Sequence, residues 1–106
     1  MILRIWHGWT APSKANAYEA LLKEEVFAGI NARQIEGYRG IELLRRDGAE
    51  EVEFVTIMRF DSISPIREFA GPDYEVAVVP PAAQALLARF DSRSQHYELI
   101  EARSAH

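Results

Sequence analysis

The sequence has no cysteine among its 106 residues. This absence excludes disulfide bonds, zinc sites built on thiolates, iron–sulfur clusters and thiol nucleophiles, and it fits a reducing compartment. Residues 1–9 lack the charged and apolar regions of a secretory signal, and no apolar run approaches the ~18 residues that span a bilayer. We therefore expect a cytoplasmic protein without a membrane segment.

Basic residues and glycines are also few. Twelve Lys and Arg residues stand against 16 Asp and Glu residues, and the net charge of −4 argues against nucleic acid as a partner. None of the six glycines follows the spacing of a phosphate-binding loop, which disfavours nucleotide cofactors. The histidines and carboxylates form no metal-binding motif, and no Ser-His-Asp set or nucleophile elbow is present. The sequence therefore predicts neither a metal nor a cofactor.

Hydrophobic residues make up 48% of the chain and charged residues 26%, as in an ordinary globular protein. A chain of this length holds a single core. Residues 1–102 are therefore predicted to form one domain, and residues 103–106 a frayed tail.

The hydrophobic pattern predicts both strands and helices. Near-alternation of apolar and polar residues indicates strands at residues 2–9, 38–46, 51–60 and 94–102. Helical spacing or composition indicates helices at residues 13–33, between Pro65 and Gly71, and at 82–90. Asp47-Gly48 predicts a tight hairpin, and residues 74–79 are open to a strand, a loop or a helical turn. This order predicts an α+β ferredoxin-like split βαβ sandwich, with helices on one face of a four-stranded antiparallel sheet.

Side-chain alternation assigns each strand residue to one face of the sheet. Because the odd series of the first strand begins with apolar residues, we expect it to face the helices; it comprises Leu3, Ile5, His7 and Trp9. The other residues expected on this face are Ile41, Leu43, Phe54, Thr56, Met58, Phe60, Tyr97 and Leu99. The opposite face then carries Ile2, Arg4, Trp6, Glu42, Arg46, Glu53, Val55, Ile57, Arg59, His96 and Glu98.

This outer face is too apolar for open solvent and too charged for a core. A second copy of the chain is its natural cover, because a two-fold axis pairs the same surface on both subunits. The sequence therefore predicts a homodimer, with contact residues Arg4, Trp6, Glu53, Arg59 and His96.

His7 is the candidate catalytic base. It lies beside Trp9 on the face expected to pack against the helices, and imidazole titrates close to neutral pH. A hydrogen-bonded core histidine is the alternative. The candidate substrate-binding residues form an aromatic-rich set between sheet and helices: Trp9, Met58, Phe60, Phe69, Tyr74 and Tyr97. Ordinary core packing is the alternative for this set.

Three stretches resemble the antibiotic-biosynthesis-monooxygenase family of dimeric α/β-barrel proteins. They are ILRIW at residues 2–6, the run at 53–62 followed by 69–71, and the closing part from 89–91 to 96–98. The resemblance implies a ferredoxin-like fold and a homodimer that pairs its sheets face to face. Some family members oxidise electron-rich aromatic or quinol substrates with dioxygen and without a bound cofactor.

Another branch of that family degrades haem, and it relies on an Asn in the first strand, a Trp at the end of the third and a His on the later helix. Here the corresponding regions hold Trp6 and His7, then Phe60, and no histidine between residues 69 and 90. Haem cleavage is therefore not predicted.

The resemblance favours a cofactor-independent oxygenase that acts on a small aromatic or quinol-like molecule. In this prediction His7 assists deprotonation, and Tyr74 or Tyr97 stabilises the developing oxyanion. Two other functions stay open. One is non-catalytic binding of a small apolar ligand, and the other is a cofactor-free isomerase, cyclase or lyase.

Overall fold

The computed structural model describes residues 1–105 and has an α+β architecture. Its five strands are β1 Ile2–Thr10, β2 Tyr38–Asp47, β3 Val52–Phe60, β4 Arg89–Phe90 and β5 Gln95–Glu98. Its α-helices are α1 Ala15–Leu21, α2 Phe27–Ala32, α3 Ile63–Ala70 and α4 Pro81–Gln84. A π-helical turn at Leu22–Val26 joins α1 to α2, so that residues 15–32 form one long helix.

All strand pairs are antiparallel, and the sheet order is β2-β3-β1, with β4 and β5 both along the remaining edge of β1. This order and the helices on one face confirm the predicted ferredoxin-like class. The C-terminal third differs in detail. The helix predicted at 82–90 ends at Gln84, because the chain then turns back to β1 and the Ala88 N–H donates to the Trp9 carbonyl at 2.8 Å.

The last strand covers Gln95–Glu98 rather than residues 94–102. It ends where β1 begins, since Ile2 pairs with Glu98. The segment at 74–79 is a loop with one isolated bridge, from Val76 to Arg93. The predicted tail reaches His106, which lies outside the described residues.

The hairpin between β2 and β3 forms at Asp47-Gly48 as predicted, but its glycine is needed for a different reason. Gly48 does not adopt a positive φ. Its N–H donates to the Glu51 carbonyl at 2.9 Å, and a Cβ on Gly48 would lie 2.7 Å from that oxygen. The close approach of the two backbone segments therefore requires glycine.

The predicted sides of β1 and β5 are reversed in the structure. Arg4 pairs with Met58 and Trp6 with Thr56, and directly paired residues share a face of the sheet. Arg4 and Trp6 are therefore turned toward the helices, and only 3% and 8% of their surfaces are exposed. Each series of β1 contains large apolar side chains, so that alternation alone does not decide which one is buried.

The same reversal applies to β5. His96 pairs with Arg4 and therefore faces the helices, whereas Tyr97 pairs with Leu3 on the open face and is 51% exposed. The predicted contact residues Arg4, Trp6 and His96 are thus absent from the open face. Glu53 and Arg59 are on it, and the predicted sides of β2 and β3 are correct.

The core consists of two clusters on the helix side of the sheet. One joins the long helix and α4 to one end of β3, with Ala15, Tyr18, Leu22, Val52, Phe54 and Ala83. The other joins α3 to the opposite end of β3, with Ile35, Met58, Phe60, Ile66 and Phe69. The space between the clusters is not filled.

Candidate functional site

A cavity of about 50 Å³ lies between the sheet and the long helix, where the two core clusters meet. Arg4, Trp6 and Thr56 form part of its sheet wall. This volume is enough for about four water molecules. A larger apolar groove of about 350 Å³ adjoins it at the surface, and the two share Val26, Ile30, Phe69, Val78 and Pro80. The cavity and the groove therefore form one cleft.

The walls of this cleft follow from local backbone features. The π-helical turn contributes Leu22 and Val26, and single π-turns inside helices occur frequently at functional sites. The Trp6 ring lies over Gly8, because a Cβ there would be 2.6 Å from the ring. Its indole N–H donates to the Asp91 carbonyl at 2.8 Å. These contacts fix the orientation of the largest aromatic group in the cavity.

Arg4 is the buried cation of the site, and its hydrogen-bond partners are neutral. Its Nη1 donates to the Tyr74 carbonyl and, at 3.0 Å, to Nε2 of His96, while Nη2 donates to the Val76 carbonyl at 2.9 Å. The Phe69 ring lies against the guanidinium at 5.5 Å. No carboxylate of residues 1–105 forms an ion pair with Arg4. Burial lowers the pKa of Arg4 to about 10, so that it remains charged at neutral pH.

His96 is held as a neutral imidazole. An arginine can only donate, so Nε2 of His96 accepts the hydrogen bond from Arg4 and the proton resides on Nδ1. Nδ1 is buried and has no hydrogen-bond partner among the described residues. Burial, followed by the positive charge of Arg4, lowers the pKa of His96. The edge of the Tyr74 ring covers the imidazole at 5.2 Å.

The predicted site residues are divided between the two faces of the sheet. Met58 and Phe69 line the cavity, and Phe60 packs in the adjoining core. Tyr74 covers His96 and holds Arg4 through its carbonyl rather than its hydroxyl. The remaining three predicted site residues are on the open face: His7, Trp9 and Tyr97. They cannot share a cavity with the others, which corrects the predicted pocket.

On the open face, His7 belongs to a separate cluster. Its Nδ1 lies 2.9 Å from Oε2 of Glu53, and its ring stacks on Trp9 at 6.1 Å between centroids. The Arg89 guanidinium covers Trp9 at 3.8 Å from the ring centroid. The placement of His7 therefore separates it from the cavity by the full thickness of the sheet.

The sequence interpretation missed Arg4 as a cavity residue and His96 as its hydrogen-bond partner, and it assigned both to a subunit interface. The available signal was an arginine within the apolar run ILRIW at residues 2–6. A charged residue in such a run lies either on a solvent-exposed face of the sheet or in a functional site. The register with β3 decides between these possibilities, and the register is not visible in the sequence.

No group of three or more His, Asp or Glu side chains within residues 1–105 is close enough to hold a metal ion. No helix there has the length and the hydropathy needed to cross a bilayer.

The fold is similar to that of a candidate antibiotic biosynthesis monooxygenase from Bacillus cereus. The superposition has a TM-score of 0.69 and covers 100% of this chain and 97% of the other, at 12% sequence identity. The resemblance noted in the sequence is thus confirmed at the level of the fold, which at this identity is all that the similarity establishes. No protein-family model matches the sequence, and none of the curated protein sequences matches it either.

The lowered pKa of His96 predicts that the free energy of unfolding decreases in mild acid. As pH falls below about 6.5, the unfolded chain protonates this histidine before the folded chain does, and stability therefore falls until the folded pKa is passed. His96→Gln keeps an acceptor for Arg4 and removes the titration. Urea unfolding at about pH 7.5 and about pH 5.5 should show a smaller decrease in the variant. An equal decrease in both proteins would contradict the assignment of this effect to His96.

Proposed function

We propose that the chain is a cofactor-independent oxygenase that acts on a small aromatic or quinol-like molecule in the cleft between the sheet and the helices. The observation that carries the proposal is the composition of this cleft. Apolar and aromatic walls, which include Trp6, Met58 and Phe69, surround a space that also contacts a buried cation. Such walls bind an aromatic ring and keep water away from a reactive anion.

The chemistry needs no external reductant. A phenol that has lost its proton passes electrons to dioxygen, a C–O bond forms at a ring carbon that carries a hydrogen ortho or para to the phenolate oxygen, and the O–O bond then breaks. One oxygen atom remains as the carbonyl of a quinone. The other leaves as water with the two hydrogen atoms that the phenol has lost, so that one phenol and one dioxygen give one quinone and one water.

His7 is not the base in our proposal, because it lies across the sheet from the cleft, and the proton of the phenol passes to water in the groove. The positive charge of Arg4 favours the loss of a proton from a bound phenol.

Oxygen consumption tests this function. An oxygen electrode is used with the purified protein and a panel of hydroquinones and polyphenols, and the rate is corrected for oxidation in buffer. We expect uptake with at least one compound, and an unchanged rate in His7→Ala, because His7 lies on the other face of the sheet. Uptake that is absent for the whole panel would refute the oxygenase and favour a binding protein. Uptake that is lost in His7→Ala would move the site to the open face.

We also propose that a second copy of the chain covers the open face of the sheet. This face presents a continuous apolar surface with Leu3, Ile5, Leu44, Val55, Ile57 and Tyr97, all of them half-buried or exposed. Monomers rarely expose such a patch, and a two-fold axis would bury it against itself. The pair formed by Arg59 and Glu42, 2.5 Å apart, borders the patch and supplies charges of both signs at its rim.

A further inference from the structure

We infer that Arg4 is an oxyanion-binding residue and that the cleft takes its aromatic ligand as an anion, a phenolate or an enolate, in preference to the neutral molecule. This inference rests on the proposed function for the identity of the site, and it adds the ionisation state of the ligand and the residue that selects it. Binding of an anion is independent of any reaction with oxygen, so that the two proposals can fail separately.

The first argument is the unsatisfied charge of Arg4. A buried guanidinium is normally paired with a carboxylate, since a lone buried charge is strongly disfavoured. Here the surrounding groups are two backbone carbonyls, a neutral imidazole and the face of a phenyl ring. Each carries at most a partial negative charge. An anion beside Arg4 would supply the full negative charge that the described residues lack.

The second argument is the number of free donors. A guanidinium has five N–H groups, and three of those on Arg4 are used, by Tyr74, Val76 and His96. Two donors therefore have no acceptor among residues 1–105. Because Arg4 contacts the cavity, an oxygen atom of a ligand there can accept from them. Hydrogen bonds between charged donors and anionic oxygen are about twice as strong as those between neutral groups.

The third argument is that the protein holds Arg4 firmly in place. The Tyr74 and Val76 carbonyls belong to the loop at 71–80, which also contributes Val78 and Pro80 to the cleft. The guanidinium therefore cannot leave the cavity to reach solvent without losing these bonds. Donors that are already fixed toward the position of a charge stabilise it without a further cost of reorganisation.

Other charged groups near the site do not offer the same function. Glu75 lies beside His96 on the surface side, and both Glu75 and Asp73 pair with Arg93, at 3.2 and 2.8 Å. Arg33 lies at the rim of the groove, where it is exposed and donates to the Phe69 and Glu68 carbonyls. Arg4 is thus the cation that contacts the inner cavity within the described part of the chain.

The probe for this inference is 4-nitrophenol, which titrates close to neutral pH and is yellow only as its anion. It is electron-poor and does not consume oxygen, so that its binding is separate from turnover. Its visible absorbance is followed from pH 5 to 8 with and without excess protein. We expect the bound phenol to ionise at a lower pH than the free phenol, because the anion binds about tenfold or more tightly than the neutral form. An unchanged or raised titration point for the bound phenol would overturn the inference, and so would the absence of binding.

Two substitutions identify the residue that is responsible. Arg4→Met removes the charge and the donors and should abolish the preference for the anion. Arg4→Lys keeps the charge but loses the planar guanidinium with its paired N–H donors, and it should retain a smaller preference. Arg39→Met is the matched control, since Arg39 is exposed, pairs with Asp61 at 2.5 Å and lines neither the cavity nor the groove. It should behave as the wild type.

Binding of 4-nitroanisole, which cannot ionise, shows whether the cavity is intact in each variant. Arg4→Met should bind it as tightly as the wild type or more tightly. If Arg4→Met is unfolded, the wild-type titration and Arg4→Lys still decide the question. Retention of the full preference in a folded Arg4→Met protein would overturn the inference. Oxygen uptake without a preference for the anion would support the oxygenase and refute the anion site. A preference for the anion without oxygen uptake would support the anion site and refute the oxygenase.

Discussion

Filling the cavity should abolish turnover while the fold persists. Ala83 is 1% exposed, belongs to the first core cluster and lines the cavity, so that Ala83→Leu directs three additional carbon atoms into the space that a substrate ring would occupy. We expect oxygen consumption to fall on the order of 100-fold or more, since displacements of about 1 Å in a bound substrate already have effects of this size. The free volume should limit the overpacking to a loss of stability of about 1–3 kcal/mol.

The matched control for this experiment is Ala85→Leu. Ala85 immediately follows α4, two residues further along the chain, but its side chain is exposed and lines neither the cavity nor the groove. Oxygen uptake and thermal unfolding are measured for both variants. Normal uptake by a folded Ala83→Leu protein would show that the reaction takes place elsewhere.

A single charge on the open face should separate the proposed dimer into monomers. Ile57 lies on β3 between Ile5 of β1 and Glu42 of β2, near the middle of the apolar patch. In Ile57→Asp, a carboxylate would be buried without a partner on both sides of a two-fold interface. Removal of one partner from a buried pair costs about 3–5 kcal/mol, and a similar penalty here weakens association by roughly 100-fold to 4,000-fold.

Sedimentation velocity over a range of concentrations measures this effect. The isolated subunit should remain folded in the variant, because Ile57 is only half-buried in a single chain. Ser64→Asp makes the same change of charge at an exposed position on α3 and should leave association unchanged. A wild-type protein that sediments as a monomer at micromolar concentration would refute the dimer, and so would an Ile57→Asp protein that associates normally.

The sequence predicted the order of elements well because that order depends on local signals. The β2–β3 hairpin follows from two alternating runs around Asp47-Gly48, and α3 is bounded by Ser62 before it and Gly71 after it. Strand order then follows from the fold class. None of these features depends on how residues of distant strands are paired, and they could therefore be predicted from the sequence.

The candidate site was predicted less well because it depends on which face of β1 is buried. Leu3 and Ile5 make one series apolar, and Ile2 and Trp6 do the same for the other. Arg4 was expected outside because charged residues are rarely buried without a partner. Its burial is the local exception, and such exceptions are expected at functional sites, where stability is not the only requirement. The reversal then transferred His7 to the open face and His96 to the helix side of the sheet, beside Arg4.

The two tryptophans offer the most direct test of the central claim, that the functional site is the cleft on the helix side of the sheet. Trp6 and Trp9 are the only tryptophans in the chain, and they lie on opposite faces of β1. Each gives one indole N–H signal in a ¹⁵N-correlated NMR spectrum, which substitution of Trp9 by Phe assigns. Addition of 4-nitrophenol, or of a phenol that supports oxygen uptake, should shift the Trp6 signal and leave the Trp9 signal in place. A shift of Trp9 without a shift of Trp6 would place the ligand beside His7 on the open face and contradict the account.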